Sequence, residues 1–236
     1  MARFFITGDT HGELDRKKIG TRYFPEQKEL TKNDYLLITG DFGCVWSLDN
    51  TDKYLIKEYE QRRFTTLFID GNHENHDALD AYPVEMWNGG KIHRISDTVI
   101  HLMRGQVYNV DGVKFFTMGG AESTDKQYRR EGKTWWAREM PSAEEYEEAM
   151  ANLAANDFDV DYVITHCAPE AVISMADNVF ARRPNELTDF LTRLITIYGI
   201  RYKGWYHGHY HKDLDMGKIH CLYNREIGRA SCRERV

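Results

Sequence analysis

RFFITGDTHG, residues 3–12, decides how the rest of the chain is read. Residues 3–7 form a β-rich apolar run, and it ends in a turn punctuated by Gly8 and Gly12 that carries Asp9 and His11. A strand that delivers a carboxylate and an imidazole to its carboxyl end places chemistry at the edge of a sheet, and the glycines permit the tight turn. Alone, Asp-x-His reads as an ordinary turn, with Asp9 binding backbone amides and His11 at the surface. The arrangement recurs, however. Residues 34–39 lead into Gly40-Asp41, residues 65–70 into Gly71-Asn72-His73-Glu74, residues 161–165 into His166, and residues 203–206 into His207-Gly208-His209-Tyr210-His211. A turn cap or a satisfied core histidine accounts for any one of these. Five strand ends carrying Asp, Asn or His in one chain point instead to mixed oxygen and nitrogen ligands for divalent metal. If the last segment stays extended, its alternation directs His209 and His211 to one side and His207 to the other.

Between these strands, Leu55, Ile56 and Tyr59 share an apolar stripe in residues 52–63, so the first half has a β-α-β rhythm. That rhythm predicts parallel strands covered by helices. Residues 91–95, 98–103, 106–110 and 113–118 then follow one another through turns such as Arg104-Gly105 and Asp111-Gly112, which predicts an antiparallel meander. A polar stretch, residues 121–140, contains Trp135 and Trp136. It precedes an acidic helix over residues 141–156, with Pro141 or Ser142 in the first turn and Glu144 and Glu145 at the positive end. A further helix is expected over residues 185–198 and a last strand over residues 219–223. The expected fold class is α/β, an α+β sandwich of two mixed β-sheets packed together and flanked by helices.

No repeat or Pro/Gly/Ser-rich linker interrupts residues 1–225, which are expected to form a single domain. Residues 226–236 (EIGRASCRERV) lack apolar periodicity and are expected to be a non-native or read-through tail, so Cys232 is set aside with them. A hydrophobic content of 42% and an aromatic content of 13% exclude a disordered chain. No apolar run approaches the roughly 18–20 residues of a membrane span, and the first residues show no export signal. The cysteines, Cys44, Cys167, Cys221 and Cys232, form no C-x-x-C pair, which argues against a zinc ribbon or disulfide scaffold and for a reducing cytoplasm. A net charge of −6 argues against electrostatic coating of nucleic acid.

The ordered motifs D-x-H (Asp9, His11), G-D (Gly40, Asp41), G-N-H-E (Gly71 to Glu74), a lone His166 and G-H-x-H (Gly208 to His211) resemble those of the calcineurin-like metallophosphoesterase family. The likeness spans Asp9 to His211 and implies that family's four-layer sandwich. It also implies two divalent metal ions, manganese foremost with iron, zinc or nickel as alternatives. By resemblance, Asp9, His11 and His211 hold one ion, Asn72, His166 and His209 the other, and Asp41 bridges them, while His73 is catalytic without binding metal. Two dications supply about +4, Asp9 and Asp41 about −2 and a bridging hydroxide about −1, so the site stays cationic and draws a phosphate ester. The function expected from this is hydrolysis of phosphate mono- or diesters by a metal-bridging hydroxide, with His73 assisting the leaving group. The expected partner is a phosphorylated small molecule, nucleotide or phosphoprotein. A nuclease on the same core and a non-catalytic interaction module are the other readings, and the acidic balance disfavours the nuclease.

The chain departs from the Ser/Thr protein phosphatase branch and more closely resembles small bacterial and phage-type members of the superfamily. Cys44 stands where that branch's G-D-x-x-D-R-G has its second Asp, and Asp70 stands where an Arg precedes G-N-H-E. Arg129 and Arg130 are candidate substrate contacts, because basic residues interleave with Trp135 and Trp136 there. The alternative is a solvated loop with its tryptophans packed on the sheet. Glu74 either orients His73 or caps a turn. Ser123, Ser174, Cys167, His207, His76, His93, His101 and His220 read as ordinary structural residues.

Overall fold

Phe4–Thr7 (β1), Tyr35–Ile38 (β2) and Thr65–Phe68 (β3) lack polar alternation, as strands covered on both faces require. In this computed structural model, which describes residues 2–175, 184–224 and 228–230, the three strands lie parallel. Helix α1 (Asn50–Glu60) starts where the Asp49 side chain accepts from the Thr51 amide, and it buries Leu55 and Tyr59 against this sheet. A short helix, α2 (His76–Asp80), and β4 (Val84–Trp87), β5 (Gly90–Ser96) and β6 (Val99–Leu102) follow. β4 and β5 join through Asn88 and Gly89 at φ 49° and 96°, the left-handed pair that a tight hairpin demands. β6 runs antiparallel to β5 and parallel to β3.

β7 (Gln106–Val110) and β8 (Val113–Met118) form the next hairpin, and they belong to the other sheet. The meander expected over residues 91–118 is therefore two hairpins in two sheets. Arg104 explains the crossing. Its Nε and Nη2 donate to Asp70 Oδ2 in the interior, so the chain turns inward between β6 and β7. Helix α3 (Ala143–Ala154) begins with a capping box of Ser142 and Glu145. Then come β9 (Tyr162–Thr165), α4 (Glu170–Met175), α5 (Glu186–Thr196), β10 (Gly204–His207), β11 (Leu214–Met216), β12 (Ile219–Cys221) and β13 (Gly228–Ala230).

Among the described residues, one sheet has seven strands in the order β13-β1-β2-β3-β6-β5-β4, and the other has six in the order β11-β12-β10-β9-β8-β7. Phe4, Ile6, Leu67, Ile100, Phe115 and Ile164 fill the space between the sheets. Phe5, Leu36 and Phe68 face α1, while Phe116, Val163 and Trp205 face α3 and α5, which completes four layers. Of residues 226–236, Gly228–Ala230 pair antiparallel with β1, and Cys232 lies outside the described residues. Among the described residues no helix is long and apolar enough to cross a membrane. β1, β2 and β3 in one sheet and β8, β9 and β10 in the other are parallel, so the carboxyl ends of both sets open at one end of each sheet. Ligands in open α/β sheets bind outside such ends.

Candidate metal centre

Every donor picked from the sequence sits just past one of those strand ends. Asp9 and His11 follow β1, Asp41 follows β2, Asn72 and His73 follow β3, His166 follows β9, and His209 and His211 follow β10. The backbone there is unusual. His11, Asp41, His209 and His211 have φ of 43°, 49°, 68° and 51°, a region that non-glycine residues seldom occupy. Such strain persists where surrounding structure enforces it, and it gathers at functional turns. It also corrects the expectation for residues 207–211. The segment is not extended, and His209 and His211 are aimed by two left-handed residues around Tyr210 instead of by strand alternation. Two glycines leave room for the donors. A Cβ on Gly71 would lie 2.1 Å from Asp41 Oδ1, and one on Gly208 would lie 2.0 Å from Asp9 Oδ1.

Asp9, His11, Asp41 and His211 each offer a ligand atom, and all four atoms lie within 4.8 Å of one another. His11 Nε2 is 3.2 Å from Asp41 Oδ2, and His211 Nε2 is 3.2 Å from Asp9 Oδ2. On the other side of Asp41, His166 Nε2 lies 3.3 Å from Asp41 Oδ1 and 3.2 Å from Asn72 Oδ1. The ring of His209 is 4.9 Å from that of His166. Asp9, Asp41, Asn72, His166 and His209 are buried, and the His211 side chain is 46% exposed.

A further set of residues fixes these side chains. His166 Nδ1 lies 2.8 Å from the Thr39 carbonyl and His11 Nδ1 lies 2.6 Å from Asp15 Oδ2, which leaves Nε2 of each ring facing the cluster. Asn72 Nδ2 donates to Ser123 Oγ at 3.1 Å, so Oδ1 faces the cluster, and Ser123 Oγ donates to Glu139 Oε2 at 2.6 Å. His211 stacks on Tyr223 at 4.5 Å. Both Asp9 carboxylate oxygens accept from the His209 amide, and Asp41 Oδ1 accepts from the His73 amide. Glu74 accepts from the amides of Phe42 and Gly43, which makes it the brace of the Asp41 turn. Ser123, Asp15, Glu139 and Tyr223 were not singled out by sequence as parts of the site, because each meets its ligand only in the folded chain.

The electrostatics ask for a cation. Burial disfavours charge on Asp41, yet His166 and His11 outweigh it and hold the carboxyl well below its ordinary value. Burial likewise opposes a charge on His166, but Asp41 and Asp9 push that imidazole up to about 9. His11 is raised against its own burial, chiefly by Asp41. Carboxylates that pull protons onto buried imidazoles offer the same lone pairs to a divalent ion. Carboxylate, amide and imidazole donors together suit manganese, iron, zinc or nickel. His73 behaves oppositely. Burial lowers it, and Arg129 adds to this effect against the pull of Asp41.

His73 stands beside the cluster, its ring 5.7 Å from that of His11. Arg129 Nη1 is 3.0 Å from His73 Nδ1, and Arg129 Nε is paired with Asp125 at 2.8 Å. Arg130 is exposed, and its amide donates to Thr134 Oγ1. Trp136 packs edge-on against Trp46, just before α1, and donates to Asp77 in α2. Asp70 pairs with Arg104 and His101. Cys167 is buried, and burial pushes His207 down to about 4.

Residues 2–213 match the family model of the calcineurin-like phosphoesterases. The chain is also 31% identical over 124 residues to lariat debranching enzyme A of Xenopus laevis. That alignment takes in 46% of this chain and 23% of the relative, so the chain spans less than a quarter of the relative's length.

Proposed function

The chain belongs to the calcineurin-like phosphoesterase family, and from that membership we propose that it hydrolyses phosphate mono- or diesters at a dinuclear metal centre. The observation that carries the proposal is the meeting of Asp9, His11, Asp41 and His211 within 4.8 Å, with Asn72 and His166 on the far side of Asp41. Asp9, His11 and His211 would hold one ion, Asn72, His166 and His209 the other, and Asp41 would touch both. When bound, two divalent ions supply Lewis-acid charge and a water of lowered pKa.

The remaining work falls to side chains. Arg129 Nη1 lies 3.0 Å from His73 Nδ1 and Nη2 lies 3.5 Å from Nε2, so the guanidinium spans both ring nitrogens and holds the imidazole beside the cluster. His73 would hydrogen-bond the departing ester oxygen and stabilise the charge that develops there. The Arg129 guanidinium adds a fixed positive charge for the phosphoryl group, which compensates for the arginines absent beside Cys44 and at Asp70. Asn72, a neutral ligand, keeps the centre more cationic than a carboxylate would. The substrate is a phosphorylated small molecule, nucleotide or phosphoprotein, manganese is the first choice of metal, and the spacing of the cysteines favours a reducing, cytoplasmic setting.

Hydrolysis of aryl phosphate mono- and diesters by manganese-loaded protein tests the reading. His73→Ala should keep its metal and lose about 100-fold or more in kcat, whereas Asp41→Ala should lose metal and turnover together. Undiminished kcat in metal-replete His73→Ala would remove His73 from the mechanism.

A further inference from the structure

A cavity of about 290 Å³ opens on the flank of the centre that carries His73. His11 and His73 form its inner end, Trp46 and Leu14 its walls, and the bare backbones of Gly12 and Gly43 part of its floor. Leu14 is 78% exposed, an apolar side chain held at the rim. The backbone of Trp46 is held on both sides of its Cα. Its amide donates to Asp52 Oδ2 at 2.8 Å and its carbonyl accepts from Asn75 Nδ2 at 2.7 Å. Behind it Trp136 meets the indole edge-on at 5.4 Å, itself anchored by its N–H to Asp77 Oδ2. An aromatic wall fixed in advance needs little ordering when a ligand arrives.

We propose that this cavity receives the leaving alcohol of the substrate, and that the alcohol carries a flat aromatic ring, as a nucleoside does. The inference rests on the phosphoesterase reading, because the group that His73 assists must depart on the His73 side. The volume suits one planar ring system with its linker and not a polymer track. Trp46, Leu14 and Leu55 give a ring apolar surface to pack on, while Glu13 and Asp52 in the same lining disfavour an anionic group and Ser47 and Thr51 offer hydroxyls to a ring's polar edge. Trp46 and Leu14 are thus specificity-determining residues.

Adenosine 5′-monophosphate and ribose 5-phosphate share one leaving oxygen and differ in the base, so they separate ring recognition from phosphate recognition. Manganese-loaded wild type should prefer the nucleotide by about tenfold in kcat/KM, the size of one stacked base. Trp46→Ala and Leu14→Ala should bring that ratio towards one, and Trp46→Phe should retain it. Leu14 is exposed, so its variant keeps the test valid if Trp46→Ala folds poorly. A second readout needs no turnover. In saturation-transfer NMR, the base protons of adenosine should be saturated by metal-free wild type and not by Leu14→Ala or Trp46→Ala. A ring preference or adenosine signal that survives both substitutions, or no adenosine signal from wild type, overturns the proposal. Adenosine binding that depends on Trp46, with neither these monoesters nor aryl phosphate diesters hydrolysed, supports the pocket and defeats the phosphoesterase reading.

Discussion

Asn72 brings an amide to the centre, and which end of that amide faces the donors is decided 51 residues further along the chain. Ser123 accepts from Nδ2 and donates its own hydroxyl hydrogen bond to Glu139, so Oδ1 alone is left for a metal. Ser123→Ala removes that acceptor and frees the amide to rotate. Affinity for Mn²⁺, measured by titration calorimetry, should fall about 10- to 100-fold, the usual effect of losing an outer-shell partner. Unchanged affinity would mean that Asn72 is oriented by something else. The contrast between Asn72 and Ser123 shows what was legible at this scale. Asp9, His11, Asp41, Asn72, His166, His209 and His211 each follow an apolar run, and that local pattern is visible in one dimension. Ser123 and Asp15 follow no strand, and their partners are set by the fold.

Arg3 and Asp34 tie the entrance of β1 to that of β2. Arg3 Nε and Nη2 each donate to the Asp34 carboxylate at 2.9 Å, and the Thr31 amide donates at 2.8 Å. Burial works against an ionised Asp34, but Arg3 and the amides of Thr31 and Arg3 outweigh it and hold the group down at about 2, below its ordinary 3.8. A depressed carboxylate stabilises the fold fully above its unfolded value and loses that contribution as pH falls through the folded value. The difference in urea midpoint between wild type and Asp34→Asn should therefore be full at neutral pH and shrink as pH falls from about 4 to about 2. A difference independent of pH would assign the tie to packing instead of charge. Among the elements, the long or purely apolar ones were readable, including β1, β2, β3, α1, α3 and α5. α2 and β4 were not, since five residues at His76–Asp80 hold too little helical period and Val84–Trp87 is largely exposed. The turn at His209 and His211 was misread because left-handed backbone leaves no trace in hydrophobic alternation.

The whole molecule is a device for bringing two sets of parallel strand ends together. Asp9, Asp41 and Asn72 come from one sheet, and His166, His209 and His211 come from the other. Neither sheet alone assembles the centre, so the inter-sheet core of Phe4, Ile6, Leu67, Phe115 and Ile164 is what sets its geometry. The sandwich itself was legible from strand order. The step from β6 to β7 was not, because it depends on a buried pair, Asp70 and Arg104, that lie 34 residues apart and resemble ordinary surface charges in sequence. On the proposed function, side chains from both sheets would share a pair of ions across Asp41. The most direct measurement is metal content after reconstitution with Mn²⁺, read by mass spectrometry of the dialysed protein. Wild type should retain about two ions per chain and Asp41→Ala about one or none. A wild type that retains none, or an Asp41→Ala variant that retains as many as wild type, would contradict the account.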